Sequence, residues 1–203
     1  MLRLGIMGGT FNPIHHGHLV VAEEVRNLFQ LDKVIFIPAG NPPHKQDKTL
    51  LPAEDRYLMT VLATMTNMHF EVSSMEIERG GLSYTVDTIK QLREKYGSQT
   101  KLYFITGADA ILSIFTWKDV PQLLLSCEFI AATRPGYRLD DLREKLGELD
   151  KDYLKHIHLV EVPGIAVSST DVRRRIKEGK PIKYLLPENV ESYIIKQKLY
   201  QEC

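Results

Sequence analysis

Short, almost uninterrupted apolar runs alternate with helix-patterned segments along this chain, and no other feature limits its fold so strongly. The runs are residues 2–7, Val34-Ile35-Phe36-Ile37, Leu102-Tyr103-Phe104-Ile105-Thr106 and residues 127–133. A strand with one face in water alternates apolar and polar side chains, whereas an unbroken run marks a strand covered on both faces. Between the first two runs a helix is expected from near Gly17, because Val20, Val21, Val25, Leu28 and Phe29 recur at helical spacing before Gln30. Residues 53–66 and 84–96 repeat the helical pattern, residues 70–77 read as extended, and two short helices precede residues 127–133. Residues 158–162 read as a last strand, followed by helices over residues 169–177 and 188–197. Parallel neighbours need long crossovers, and the helices supply them. The expected fold is therefore α/β, an open parallel sheet with helices on both faces, and ligands are expected at the carboxyl ends of its strands.

Length and charge narrow the choice of ligand. The 203 residues suit one domain. Lys plus Arg (26) equals Asp plus Glu (26), so no general basic field exists to hold nucleic acid or an anionic membrane, and any anion must be bound by local geometry. No apolar run approaches the roughly 20 residues of a membrane span, and Gly8-Gly9 cut short the apolar N-terminus. Two cysteines, Cys127 and Cys203, argue against a disulfide scaffold and fit a reducing cytoplasm. The most linker-like segments are residues 38–52 and 135–153, the first rich in Pro and Lys and read as a mobile substrate loop.

The richest stretch, Gly8-Gly9-Thr10-Phe11-Asn12-Pro13-Ile14-His15-His16-Gly17-His18, lies between the first strand and the first helix. Glycines admit a phosphate chain close to the backbone, and the following helix offers free N–H groups and a partial positive charge. The stretch is neither GxGxxG nor a P-loop, since no Gly-Lys-Ser/Thr follows. His15 and His18 supply an alternative, because residues three apart at a helix start project to one side. Three histidines in four positions are hard to explain by packing or capping. Zinc would need three or four ligands, and neither Cys127 nor a nearby carboxylate completes such a set at ordinary spacing.

A second anion-binding signal is Val167-Ser168-Ser169-Thr170-Asp171-Val172-Arg173. Ser168 or Ser169 is a good N-cap, and Arg173, about one turn on, overlies the same helix end. Hydroxyls, helix N-terminus and guanidinium together suit an anion. Alone, the segment would read as a capped helix with a solvated arginine run.

These residues resemble a known family. Gly-Gly-Thr-Phe-Asn-Pro-x-His-x-Gly-His, with its core at His15-x-Gly17-His18, is similar to the nucleotidyltransferase superfamily motif, and residues 167–173 resemble its second motif, Ile-Ser-Ser-Thr-x-x-Arg, with Val167 a mild departure. The likeness covers the whole chain and is greatest to the bacterial nicotinate-nucleotide adenylyltransferases. Class I aminoacyl-tRNA synthetases share His-x-Gly-His, but this chain is too short and lacks their Lys-Met-Ser-Lys-Ser segment. The resemblance implies a Rossmann-like nucleotidyltransferase domain over residues 1–203, with the second motif and terminal helices in residues 163–203.

The resemblance also implies roles. ATP would lie against Gly8, Gly9, Thr10, Phe11, His15, His18, Gly107, Asp109, Arg134, Ser168, Ser169, Thr170 and Arg173, with Ser169, Thr170 and Arg173 on the β- and γ-phosphates. Asp109, in Gly107-Ala108-Asp109, either accepts from ribose hydroxyls or caps a helix. His44 and Lys45 would receive the mononucleotide phosphate, Trp117 would stack on the pyridine ring, and Tyr84-Thr85, at a helix start, would receive its carboxylate. Apolar packing is the alternative for Trp117.

The implied reaction is transfer of adenylyl from ATP to nicotinate mononucleotide, giving nicotinate adenine dinucleotide and pyrophosphate in NAD biosynthesis. His18, His15 and Arg173 would stabilise its transition state, with Mg²⁺ held mainly by ATP phosphates. Two enzymatic alternatives accept nicotinamide mononucleotide or phosphopantetheine, the latter usually in a shorter chain with Thr-x-Gly-His. A non-catalytic nucleotide sensor is the third alternative, which intact His15, His18 and Arg173 oppose. The terminal helix either packs on the domain or joins a second copy in a homo-oligomer; nucleic acid and membrane partners are not expected.

Overall fold

Alternation of strand and helix runs through the computed structural model, which describes residues 1–43, 49–133 and 154–201; the side chains of Asp109 and Phe115 are outside that description. Strand β1 (Arg3–Gly9) leads through a turn to α1 (His16–Leu28), β2 (Lys33–Pro38), α2 (Ala53–Thr64) and the short β3 (Phe70–Val72). Next come α3 (Met75–Arg79), α4 (Thr85–Tyr96), β4 (Lys101–Gly107) and α5 (Ala108–Ile111). A 3₁₀ turn (Ile114–Thr116), α6 (Val120–Ser126), β5 (Glu128–Thr133) and β6 (Ile157–Glu161) follow, then α7 (Ser169–Lys177) and α8 (Glu188–Lys196). The sheet order is β3-β2-β1-β4-β5-β6, every neighbouring pair parallel.

Unbroken apolar runs give this sheet two buried faces. Met7, Phe36, Ile105 and Ile130 point into one core with Val25 of α1, Met59 of α2, Val172 of α7 and Ile194 of α8. Ile6, Ile35, Phe104 and Phe129, one residue out of step, point into the other with Ile89 of α4, Ile111 of α5 and Leu123 of α6. A one-residue offset separates the two faces because successive strand side chains alternate with a period of two. The strand order reverses between β1 and β4, and such a switch point opens a crevice at the strand ends. The turn after β1 and the turn after β4 flank it.

Two expectations need correction. Residues 70–77 are not one extended stretch: β3 stops at Val72 and α3 begins at Met75. Ser74 causes the break, since its carbonyl accepts the N–H groups of Ile77 and Glu78 and opens a helical turn. Cys127 lies just before β5, closing α6, and is buried. Among the described residues no helix is long and apolar enough to cross a membrane.

Candidate active site

The turn after β1 is bound tightly to itself and to distant chain. Phe11 has a positive φ of 48°, and the Asn12–Pro13 peptide is cis. His15 is the N-cap of α1, with extended backbone. Its main-chain N–H donates to His18 Nδ1 at 3.2 Å, and the two imidazoles stack with centroids 3.8 Å apart. An Nδ1 that accepts leaves the proton of the neutral ring on Nε2, so His18 presents a donor. Gly17 makes this possible, because a Cβ there would stand 3.0 Å from Cε1 and Nδ1 of His15.

Helix α7 closes on the same turn. Ser168 caps it, accepting the Asp171 N–H at 3.1 Å. Ser169 Oγ donates to the Pro13 carbonyl at 2.8 Å, and Arg173 Nη1 donates to the Asn12 carbonyl at 2.8 Å. From the C-terminal segment, the buried Tyr200 hydroxyl donates to Asn12 Oδ1 at 2.9 Å. The starts of α1 and α7 thus meet across one cavity of about 1090 Å³, whose lining includes His18, Ser169, Thr170 and Arg173. Arg174 and Arg175 pair instead with Asp171, and Arg174 also with Glu178.

The cavity continues past the strand ends to Tyr84, Thr85 and Trp117. No side chain caps α4, whose first turn begins at Thr85. Trp117 is half-buried, its ring edge-on to Phe104 with centroids 5.8 Å apart. Beside it the Lys118 ammonium lies 4.5 Å from the Tyr84 ring centroid and 3.1 Å from Asp87 Oδ2.

Residues 6–175 match the family model described as cytidylyltransferase-like. The chain is 59% identical over 201 residues to a protein of Thermoanaerobacter sp. (strain X514) named "Probable nicotinate-nucleotide adenylyltransferase", covering 99% of this chain and 95% of that one. A Moorella thermoacetica protein with the same name is 60% identical over 199 residues, covering 98% and 92%. The chain belongs to the cytidylyltransferase-like family, with the nicotinate-nucleotide adenylyltransferases. Its fold is also that of the Plasmodium falciparum nicotinic acid mononucleotide adenylyltransferase solved with NaAD, at TM-score 0.76, 23% identity and 98% coverage of both chains.

In this member of the cytidylyltransferase-like family, Gly8, Gly9, Thr10, Phe11, His18, Ser169, Thr170, Arg173, Tyr84, Thr85 and Trp117 all line the one cavity. His15 does not: it is 6% exposed and lies behind His18, because the N–H bond to Nδ1 draws the rings face to face. Ser168 is occupied as the cap. Gly107 ends β4 in an exposed position outside the lining, where an added Cβ would meet nothing within 4 Å. His44, Lys45 and Arg134 are outside the described residues, as is the side chain of Asp109.

Sequence reasoning missed Glu76, Thr106 and Lys118 in the cavity wall, and Arg56 beneath it. Glu76 is buried, and the Thr88 hydroxyl donates to its Oε1. Burial holds its carboxyl above the ordinary carboxylate range, against hydrogen bonds from Thr88 and Ser83 and the charges of Arg79 and Arg56. Its segment read as a strand, so nothing directed it toward the crevice; a glutamate two residues after a Ser-Ser break was the available signal.

Proposed function

We propose that this chain transfers adenylyl from ATP to nicotinate mononucleotide. An oxygen of the mononucleotide phosphate attacks the α-phosphorus of ATP, the bond from that phosphorus to the bridging oxygen breaks, and pyrophosphate leaves. The reading is carried by one observation: the starts of α1 and α7 open onto a single cavity that also reaches Thr85 and Trp117. One end suits a triphosphate, with His18, Thr170 and Arg173 as donors, while the Ser169 hydroxyl hydrogen is given to the Pro13 carbonyl. The other suits an aromatic ring bearing a carboxylate, which Trp117 would stack on and Thr85, at the N-terminus of α4, would receive.

The attacking phosphate is already anionic near neutral pH, so the reaction needs no enzyme nucleophile and no strong base. Alignment is the larger effect: proximity supplies roughly 7–11 kcal/mol in well-oriented reactions, whereas a general base supplies a factor of about 10²–10⁴. His18 Nε2–H is the donor proposed for the charge that develops on the α-phosphate oxygens, and Arg173 neutralises the departing pyrophosphate. His15 is assigned to holding the His18 ring. Among the described residues no three His, Cys, Asp or Glu side chains group to hold a metal ion, so Mg²⁺ is proposed to enter with ATP, bound by phosphate oxygens and water. The bound ion would offset phosphate charge.

Incubation with ATP and, separately, nicotinate mononucleotide, nicotinamide mononucleotide and phosphopantetheine tests this, with product mass and pyrophosphate as readouts. Nicotinate adenine dinucleotide as the preferred product supports the reading. Preference for another acceptor, or nucleotide binding without pyrophosphate release, overturns it.

A further inference from the structure

Arg56 is 1% exposed and is the bulkiest fully buried side chain among the described residues. Among the described residues no carboxylate hydrogen-bonds to it; the guanidinium donates to three main-chain carbonyls. Nη1 donates to Thr10 at 2.8 Å, Nη2 to Gly40 at 3.0 Å and Nε to Leu51 at 3.0 Å. Thr10 belongs to the turn that meets the α1 and α7 starts. Gly40 and Leu51 stand on either side of residues 44–48, on the loop from β2 to α2 whose Ala39, Pro42, Pro43 and Leu50 also line the cavity.

Asn12 strengthens the same join, donating from Nδ2 to the Thr49 carbonyl at 2.9 Å and accepting the Leu51 N–H on Oδ1 at 3.3 Å. On its other side Gly40 is pressed against α3, where a Cβ would lie 2.6 Å from the Glu76 carbonyl oxygen. Gly40, in the first stem of the β2–α2 loop, is therefore clamped between Arg56 and α3, and Arg56 is the one side chain of this set that bonds the turn after β1 and both stems at once.

We propose that Arg56 is a positioning residue for adenylyl transfer, setting the distance between the turn after β1 and the two stems of the β2–α2 loop. The inference rests on the proposed reaction, in which the two phosphates must meet in line. A planar fork aimed at three carbonyls fixes that distance in a way a lysine's single ammonium cannot. Displacement of one loop by about 1 Å is enough to cost on the order of 10² in rate while each substrate keeps its own contacts.

The test compares wild type, Arg56→Lys and Gly40→Ala below their melting temperatures, with circular dichroism as the check on folding. Gly40→Ala moves the same loop with Arg56 intact, so it decides the matter if Arg56→Lys does not fold. Expected is a fall in kcat of roughly 10–10²-fold in each variant, with the dissociation constants of ATP alone and mononucleotide alone within about threefold of wild type. Unchanged kcat in folded Gly40→Ala or Arg56→Lys, even with a lower Tm, overturns the proposal in favour of a purely structural arginine. So does a loss of ATP affinity equal to the loss of turnover. Wild type that releases no pyrophosphate with ATP and nicotinate mononucleotide overturns the reaction itself, an outcome distinct from an active wild type with unimpaired variants.

Discussion

Gly9→Ala adds a single methyl group at the carboxyl end of β1, and its consequence follows from three contacts. The new Cβ would stand 2.9 Å from Cε1 and Cζ of Phe11 and 3.3 Å from its Cδ1. Carbon atoms rest at about 3.5–4.0 Å, so the ring must retreat by roughly 0.6 Å or more. It has little freedom to do so, being 2% exposed, 6.0 Å from Phe36 between centroids and edge-on to His18 at 5.2 Å. Overpacking of this kind costs about 1–3 kcal/mol, which in a domain of this size lowers Tm by roughly 2–12 °C. The displaced ring bears on His18, and a shift approaching 1 Å at a reacting group costs on the order of 10² in rate. Turnover at 25 °C should therefore fall by about 10–10²-fold in protein that is still folded. Gly8→Ala is the graded comparison, since its Cβ would meet Phe104 at 3.1 Å and 3.2 Å and does not press on Phe11. Thermal melts and pyrophosphate release measured on both variants decide the matter. Wild-type Tm and kcat in Gly9→Ala would refute the claim that Phe11 is wedged between β1 and His18.

Other perturbations read other parts of the site. Trp117→Ala should raise KM for nicotinate mononucleotide by roughly 5–150-fold, the worth of one stacked ring, and leave KM for ATP nearly unchanged; equal effects on both would assign Trp117 to packing on Phe104 alone. Glu76→Gln should stabilise the fold most at high pH. Burial raises this carboxyl, so in its titration range the folded chain holds more protons than the unfolded one, and stability declines as pH climbs from about 4.5 through the folded value. The Tm gain of the glutamine variant should accordingly be larger at pH 8 than at pH 4, and a pH-independent difference would contradict it.

Much of this architecture was legible because strands covered on both faces have a plain signature. Val34-Ile35-Phe36-Ile37 and Leu102-Tyr103-Phe104-Ile105 could pack only in a sheet between two helix layers, and the order of elements then set parallel pairing. The site was legible where local chain carries it: His15, Gly17 and His18 share one helix start, and Ser168 to Arg173 share another. What stayed hidden depends on tertiary contact. Arg56 looks like one more charged residue on an amphipathic helix, and only the fold turns it toward Thr10, Gly40 and Leu51. Glu76 was obscured by a helix of five residues that local pattern could not separate from the preceding strand. The different fates of His15 and His18 arise from one hydrogen bond between a main-chain N–H and a ring nitrogen, a detail that spacing alone does not encode.

The most direct measurement is pyrophosphate release by His18→Ala supplied with ATP and nicotinate mononucleotide, beside a far-ultraviolet circular dichroism spectrum of the same sample. Loss of a positioned donor to developing phosphate charge should reduce kcat by about 10²–10³-fold while the spectrum matches wild type. Near-normal turnover in a folded His18→Ala protein would remove the imidazole from the chemistry and contradict the account.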